Sequence, residues 1–421
     1  MRRYQSERSP IAVSFRDLVP WIKMGERATH HIHTYPAKLL PQIAHFFLAT
    51  TKLVAADEAV LDPFGGTGTV ALETILSGRD ALHADANPLA RLIATCKTRQ
   101  IEAEALSQAL QLVGERFAKT RARRRPDVVN LERWFDETTI SCLIRLKAAI
   151  EDFANNEVRE FLLVTFSAAL RKASLADPRF SVPVRRRDAD GLGSSPDVWR
   201  LFEQQFRANQ SRMANLGRLS SQGALARLCG EDARRLCDVD GESMPDETIG
   251  MVLTSPPYAG AQKYVRAASL SLGWLGIAGV GQLRPLEDAT IGREHFRRVK
   301  HDDVVETGIS AADDLLTAIR KENPTRALIA STYLVEMKDA LCEAVRVLRR
   351  GGHFILVIGD NTVCGRRFAT SQYLETMLHD LGMTTRLALV DDIKSRGLMT
   401  RRAATAGVIA SEYVIVLRKD N

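Results

Sequence analysis

The sequence contains, at residues 59–71, an apolar run that leads directly into a glycine-rich loop: Ala59-Val60-Leu61-Asp62-Pro63-Phe64-Gly65-Gly66-Thr67-Gly68-Thr69-Val70-Ala71. The apolar run predicts a short buried strand, and residues 69–76 predict a helix that begins where the glycines end. Glycines allow a backbone to approach a ligand closely, and the amides at a helix N-terminus face such a ligand. The spacing of Gly66, Gly68 and Ala71 therefore matches a dinucleotide-type fingerprint, which is weak by itself.

A second strand with a polar end follows. Residues 80–84 predict this strand, and Asp85 stands at its tip. An acidic side chain at that position can accept hydrogen bonds from both ribose hydroxyls of a nucleoside, although an ordinary turn residue is the alternative. Asn87-Pro88 then predicts the start of a long helix, with asparagine as the cap and proline in the first turn.

Another polar strand end is Thr254-Ser255-Pro256-Pro257-Tyr258, which follows the apolar run at 249–253. Two prolines end a strand because neither can donate to the ladder and both have a fixed φ. The result is a stiff loop with free carbonyls, the Ser255 hydroxyl and the Tyr258 ring, which suits a planar ring bearing an exocyclic amine. A structural turn is the alternative. The glycine loop upstream favours the ligand-binding interpretation.

The composition is that of a soluble globular chain of 421 residues, with a formal charge of +7 from 58 basic and 51 acidic residues. We find no apolar run long enough for a membrane span and no signal peptide, so a cytoplasmic protein is expected. The six cysteines form no metal-binding pattern and are expected to be reduced. The histidines of His30-His31-Ile32-His33 lack acidic or cysteine partners at ligand spacing. An amphipathic helix over about residues 36–53 is therefore preferred, and no metal site is predicted.

Residues 99–225 interrupt the strand–helix alternation and predict a largely helical insertion. Two basic runs, at 121–125 and 185–187, have Trp134, Phe135, Phe180 and Trp199 interleaved with them. Such runs are either solvated faces or a nucleic-acid surface. The core pattern resumes near Asp232 at a predicted strand end, and residues 259–330 form a second insertion. A helix over 333–348 with a stop at Arg349-Arg350-Gly351-Gly352, and strands at 353–358, 385–390 and 412–417, complete the pattern.

With these motifs in this order, the chain resembles the amino-methyltransferase family, the S-adenosylmethionine-dependent DNA enzymes that methylate N4 of cytosine or N6 of adenine. The matching stretches are the loop at 62–69, Asp85 with Asn87-Pro88, and the loop at 254–258; Thr34-Tyr35-Pro36-Ala37-Lys38 resembles the cofactor-side segment of the family. The resemblance implies an α/β, Rossmann-like fold. Such a fold has a mostly parallel, doubly wound sheet, with the ligand beyond the carboxyl ends of the strands.

The resemblance also implies three regions. Residues 1–98 hold the N-terminal segment and the cofactor-binding half of the core, residues 99–225 are the candidate DNA-recognition insertion, and residues 226–421 form the catalytic half. For S-adenosyl-L-methionine, Asp62, Phe64 and the glycine loop would hold the methionine portion, Asp85 the ribose, and Asp232 would lie by the adenine. The complete implied cofactor set is Tyr35, Asp62, Phe64, Gly65, Gly66, Gly68, Thr69, Asp85, Asn87 and Asp232.

The implied catalytic residues are Ser255, Pro256, Pro257 and Tyr258. An aromatic amine is a poor nucleophile because its lone pair is delocalised into the ring. Hydrogen bonds from its N–H groups to Ser255 and the Pro256 carbonyl would draw the nitrogen towards a tetrahedral shape. A base inside a duplex cannot be reached, so the target base must flip out and stack on Tyr258. No cysteine follows a proline, so the covalent route of the cytosine-C5 family is not expected.

Several alternatives stay open at this stage. Family members with serine first in the catalytic loop are mostly cytosine-N4 enzymes, so Ser255 favours N4-methylcytosine, with N6-methyladenine as the alternative. A nicotinamide dehydrogenase would leave the Pro-Pro loop without a purpose. An RNA or protein methyltransferase would share fold and cofactor, and a non-catalytic nucleic-acid-binding relative would not need intact motifs. Double-stranded DNA is the expected partner, in the cytoplasm at the nucleoid, with a cognate restriction endonuclease as a further candidate and no membrane.

Overall fold

The computed structural model describes residues 2–23, 27–36, 38–121, 123–187, 195–220, 223–238, 240–260, 263–294, 296, 305–393 and 409–420. Ala37 of the predicted cofactor-side segment and Ala122 of the first basic run lie outside these residues.

The described part of the chain is organised around an eight-stranded sheet. Its strands are β1 (Ile11–Val13), β2 (Val60–Asp62), β3 (Ala81–His83), β4 (Ala226–Leu228), β5 (Ile249–Thr254), β6 (Leu348–Ile358), β9 (Met383–Asp392) and β10 (Ser411–Lys419). Their spatial order is β1-β9-β10-β6-β5-β2-β3-β4. A separate hairpin pairs β7 (Asn361–Val363) with β8 (Arg366–Phe368).

The sheet is mostly parallel. Strands β4, β3, β2, β5 and β6 pair in parallel, as do β1 and β9, whereas β10 runs antiparallel to both of its neighbours. The chain builds outward from β2 through β3 to β4, and then returns to the other side of β2 with β5 and β6. The crevice between β2 and β5 is therefore the switch point at which doubly wound sheets bind ligands.

Helices cover the sheet and fill the long connections. Their bounds are α1 Arg2–Glu7, α2 Phe15–Leu18, α3 Pro41–Leu48, α4 Thr69–Leu76, α5 Pro88–Thr98, α6 Ala103–Lys119, α7 Leu131–Trp134, α8 Glu137–Glu151, α9 Asn156–Ala173, α10 Val198–Leu219, α11 Tyr264–Leu275, α12 Leu283–Ala289, α13 Ser310–Glu322, α14 Pro324–Val347 and α15 Thr370–Asp380.

Successive strand residues are buried on opposite faces of the sheet. In β5, Val252 packs with α14 and α15 on one face, whereas Met251 and Leu253 pack with α2 and α3 on the other. This alternation follows from the two-residue period of a strand and explains why the predicted strands are almost continuously apolar. The α/β, doubly wound fold class expected from the sequence is confirmed.

The connection between β3 and β4 is helical, and its core is continuous with α4 and β3. Helices α6, α8, α9 and α10 bury a large cluster that includes Phe161, Phe166, Phe202 and Phe206. Helix α11, from the segment after β5, adds Trp274 to the same cluster. The segment that follows the Pro-Pro loop is thus packed against the helical region.

Two predictions about element boundaries were wrong. The helix expected over 36–53 covers only Pro41–Leu48, because Leu40 precedes a proline and is extended, so the helix can begin only at Pro41. The helix predicted over 333–348 does end where expected, since α14 stops at Val347. The predicted stop at Arg349-Arg350-Gly351-Gly352 is not a turn before the next strand, however, because β6 already begins at Leu348 and includes these residues. Gly351 adopts a φ of +68°, and the pairing of β5 with β6 shifts register beside it, so these residues form an irregularity within the strand.

The N-terminal segment is fastened to α4 through the fully buried carboxylate of Glu73. Arg27 donates two hydrogen bonds to it, at 2.6 and 2.9 Å, and the His30 ring lies 2.8 Å away. These cationic and hydrogen-bonding partners hold the pKa of Glu73 far below its usual range, despite burial. The His33 ring contacts the Ser167 hydroxyl at 2.9 Å. Both histidines are therefore structural.

No metal cluster is found among the described residues, which contain no group of three or more His, Cys, Asp or Glu side chains suited to one. None of the described helices combines the length and apolar character needed to cross a membrane. All six cysteines are free thiols.

Buried neutral histidines give a testable pH dependence of stability. Burial lowers the pKa of His83 to about 4, whereas an unfolded histidine titrates near about 6.5. Between these values unfolding takes up a proton, so the His83 contribution to stability is present above pH 6.5 and is lost towards pH 4. We expect His83→Gln to flatten the decline of the unfolding free energy by roughly 1.4 kcal/mol per pH unit.

Denaturant unfolding of both proteins across pH 4–7 measures this difference. The control is His379→Gln, since the side chain of His379 is 48% exposed. An identical slope in wild type and His83→Gln would contradict the prediction.

Candidate active site

A pocket of about 910 Å³, counted to its open mouth, lies at the switch point between β2 and β5. Its walls come from the loops after β2, β3 and β5, from the segment at 35–39, and from α11 and the end of α12. The lining residues are Tyr35, Lys38, Leu39, Asp62, Pro63, Phe64, Gly65, Gly66, Thr67, Thr69, Asp85, Ala86, Asn87, Asp232, Ala233, Ser255, Pro257, Tyr264, Ala289, Thr290 and Ile291.

The glycine loop needs its glycines for two different reasons. A Cβ on Gly65 would lie 2.9 Å from the Cβ of His83, so this position has no room for a side chain. Gly66 and Gly68 adopt φ values of +52° and +74°, which favour glycine, and a Cβ on Gly68 would also meet Ala94 at 2.9 Å. Gly65 and Gly66 line the pocket, whereas Gly68 supports it from behind by allowing α4 to approach α5.

Asp62 joins the glycine loop to the Pro-Pro loop. Its Oδ1 atom accepts hydrogen bonds from the Phe64 amide at 3.1 Å and from the buried hydroxyl of Thr254 at 2.7 Å. Among the described residues, its Oδ2 atom accepts no hydrogen bond, and the residue lines the pocket. Burial raises the pKa of Asp62 to about 7. The carboxylate thus fixes both loops and keeps one oxygen for a ligand.

Asp85 and Asn87 form the second wall. Asp85 accepts from the Gly66 amide at 2.9 Å and from the Asn87 amide at 2.7 Å, so it also holds the glycine loop. The Asn87 side chain accepts from the Leu89 amide as the cap of α5 and donates to the Tyr35 hydroxyl at 2.9 Å. Burial raises the pKa of Asp85. Tyr35 is thereby fixed beside the carboxylate that the sequence assigns to ribose.

Asp232 lies at the far end of the pocket, beyond β4. Arg234 donates to both of its carboxylate oxygens and also contacts the carbonyl of Ala289 at 3.3 Å. Glu336 lies 3.4 Å from Arg234 and binds Arg293, which contacts the Thr290 carbonyl. This network holds the wall at 289–291, which comes from the second predicted insertion.

The Pro-Pro loop contributes two of its four predicted catalytic residues to the pocket surface. Ser255 and Pro257 line the pocket, whereas Pro256 is buried behind it. Among the described residues, the Ser255 hydroxyl has no hydrogen-bond partner. Tyr258 does not line the pocket, because its hydroxyl donates to Glu412 at 2.9 Å.

Sequence analysis missed several residues that complete the site. Tyr264 begins α11 and lines the pocket. Burial raises the pKa of Tyr264, and the nearby carboxylate of Asp85 raises it further. Lys38 also lines the pocket, donates to the carbonyls of His30 and His33, and has its pKa lowered to about 8 by burial. Lys97 is fully buried beneath the glycine loop, 3.3 Å from the Thr67 hydroxyl. Only Lys38 gave a signal, as part of the quoted segment at 34–38.

The basic runs differ from the sequence-based picture. Arg125 forms ion pairs with Glu132 and Glu137, and Arg186 donates to the Ser174 carbonyl. Phe135 is buried against Trp274, and the Trp199 ring stacks on Phe117 at 5.5 Å. These two rings belong to the helical core and do not provide an exposed aromatic surface.

Comparison with known proteins agrees with this arrangement. No family model matches the chain. The type II methyltransferase M.MvaI of Kocuria varians is 24% identical over 356 residues, which cover 80% of this chain and 77% of that protein. This match over most of both chains supports the resemblance to S-adenosylmethionine-dependent DNA methyltransferases. A second relative, the type II methyltransferase M.MjaII of Methanocaldococcus jannaschii, is 31% identical over 88 residues, covering 21% of this chain and 16% of that protein.

A solved S-adenosylmethionine-dependent methyltransferase from Methanosarcina mazei aligns with 91% of this chain and 99% of its own length, at 12% identity. The TM-score of this alignment is 0.32.

The pocket fits S-adenosyl-L-methionine by its own chemistry. The free oxygen of Asp62 suits an ammonium group, Asp85 suits hydroxyl groups, and Lys38 supplies a cation for a carboxylate. The absence of side chains at Gly65 and Gly66 leaves room for a ligand against the backbone, and α4 points its N-terminus towards the pocket. Opposite charges are thus available for both ends of a zwitterionic amino acid.

The cradle formed by the glycine loop can be tested by filling it. Gly65→Ala places a Cβ 2.9 Å from that of His83, so the loop must shift away from β3 and disturb the adjoining wall. We expect S-adenosylmethionine affinity to fall about tenfold or more, which corresponds to ~1.4 kcal/mol. Isothermal titration calorimetry measures this change.

Gly281→Ala is the matched control, because nothing lies within 4 Å of a Cβ at that position. Unchanged affinity in Gly65→Ala would contradict the assignment of this loop to the cofactor.

Proposed function

We propose that this protein is a DNA amino-methyltransferase that moves a methyl group from S-adenosylmethionine to the exocyclic N4 amine of cytosine in a flipped base. The observation that carries the proposal is the Asp62–Thr254 hydrogen bond, which holds the glycine loop and the Pro-Pro loop against one pocket. A nicotinamide site would need the first loop alone.

The proposed chemistry depends on positioning at the amine. The Ser255 hydroxyl and the Pro256 carbonyl would accept hydrogen bonds from the two N–H groups. This favours a tetrahedral nitrogen, whose lone pair can then point at the methyl group. S-adenosylmethionine supplies a methyl group on a sulfonium. The new N–C bond would form as the C–S bond breaks with its electron pair left on sulfur, and the nitrogen would release one proton to solvent.

Cytosine is favoured over adenine by the residue that begins the catalytic loop. The family resemblance associates serine at this position mostly with cytosine-N4 enzymes, and Ser255 has no competing partner among the described residues. Transfer to adenine N6 is the alternative, and it would use the same loop.

The helical region at 99–225 is the proposed DNA-recognition region. Arg121, Arg123 and Arg124 are exposed just after α6, where they would contact phosphate. A cognate restriction endonuclease is a proposed partner on the basis of the type II relatives alone.

The product of the reaction tests the proposal. DNA incubated with the protein and S-adenosylmethionine, then digested to nucleosides, is expected to yield N4-methylcytosine by mass spectrometry. Ser255→Ala should lower turnover more than DNA affinity, because its hydrogen bond matters most as the nitrogen becomes tetrahedral. Tyr258→Ala should remove base stacking of about 1–3 kcal/mol and leave cofactor binding nearly intact.

Ser269, a half-buried residue whose hydroxyl donates to the Arg266 carbonyl within α11, provides the control variant Ser269→Ala. N6-methyladenine as the product would replace the base assignment and keep the mechanism. Absence of any methylated nucleoside would overturn the proposed function.

A further inference from the structure

Tyr258 is held by a side chain that comes from the other end of the chain. Its hydroxyl donates to Oε1 of Glu412, 154 residues further along the sequence, on strand β10. The two preceding prolines fix the backbone that leads to Tyr258, but they leave the side-chain torsions free. The bond to Glu412 is therefore what determines the direction of the ring.

The surroundings of the ring support this role. A Cβ on Gly359, the residue after β6, would lie 3.6 Å from the Cε1 atom of Tyr258, an ordinary contact distance, so the ring lies against the end of this strand. The ring also packs at the margin of the core on one face of the sheet. Tyr258 as a whole nevertheless remains partly exposed.

The Glu412 carboxylate occupies an unfavourable position. Burial raises its pKa, and Asp391, its cross-strand neighbour on β9, raises it further, whereas the Tyr258 hydrogen bond and Arg16 lower it. A partly buried carboxylate beside another acidic side chain is costly to hold in place. The Glu412 carboxylate thus accepts a hydrogen bond from Tyr258 although burial and the neighbouring Asp391 both disfavour its charged form.

We propose that Glu412 is a positioning residue that orients the ring of Tyr258 for stacking with the flipped base. This inference rests on the proposed function, and it adds a requirement on β10, three strands along the sheet from β2 and its glycine loop. Glu412 does not touch the cofactor pocket, so its effect should fall on turnover and not on S-adenosylmethionine affinity.

Four variants test the coupling. Tyr258→Phe keeps the ring and loses the hydroxyl, Glu412→Ala loses the acceptor, and Glu412→Gln retains an acceptor oxygen. We expect turnover to fall about tenfold in Tyr258→Phe and in Glu412→Ala, and the double variant should be no slower than either single one. Glu412→Gln should recover most of the turnover, and all four should bind S-adenosylmethionine as wild type does.

Asp392→Ala serves as the control, because Asp392 is an exposed carboxylate on the neighbouring strand end that bonds Ser411. Flipping of the target base is followed in the same proteins by the fluorescence of 2-aminopurine placed at the target position. In the variants, the fluorescence increase on DNA binding should persist, whereas the rate of methyl transfer to cytosine-containing DNA should be lower.

Two results would overturn the inference while leaving the proposed function intact. One is a wild-type rate of turnover in Tyr258→Phe. This variant tests the hydrogen bond by itself if Glu412→Ala does not fold. The other is additive losses in the double variant. If the wild-type protein yields no methylated nucleoside, the proposed function itself fails, which distinguishes the two.

Discussion

A single buried hydrogen bond, from the Thr254 hydroxyl to Asp62, ties together the two halves of the site. Strands β2 and β5 are neighbours in space, but the bonded residues Asp62 and Thr254 are 192 positions apart in the sequence, with the whole helical region between them. Their pairing brings two polar strand ends to the switch point of the sheet, and this bond then fixes the loops that follow. Without it, Asp62 would lose its strongest donor in a buried environment that already raises its pKa to about 7.

The rest of the site extends from this junction in both directions. On one side, Asp85 holds Gly66 and caps the turn before α5, so the glycine loop is fixed at two points. On the other, the stiff Pro-Pro segment presents Ser255 to the pocket and Tyr258 to Glu412. The pocket is therefore rigid where a cofactor would bind. Its outer wall at 289–291 is held by arginine contacts to the carbonyls of Ala289 and Thr290 and by the burial of Ile291 in the hydrophobic core.

The strand ends could be predicted from the sequence because their signals are local: an apolar run followed by Asp62, by Asp85, or by the two prolines. The boundaries of α3 and β6 could not be predicted in this way. The apolar spacing suggested a longer helix than α3, which begins only at Pro41. The pairing with β5 extends β6 back to Leu348, through the two glycines that suggested a turn. Long-range partners were also invisible. Nothing near Tyr258 in the sequence indicates Glu412, and nothing near Asp232 indicates the wall at 289–291, since both contacts depend on how the sheet and the second insertion fold.

The most direct measurement of the central claim is a comparison of Thr254→Val with Thr254→Ser. Valine matches the shape of threonine but removes the hydroxyl, whereas serine keeps the donor. If the Asp62–Thr254 bond unites one cofactor-and-catalysis site, Thr254→Val should weaken S-adenosylmethionine binding and lower turnover, each about tenfold, and Thr254→Ser should restore both. Wild-type affinity and turnover in Thr254→Val, in a protein that folds normally, would contradict the account.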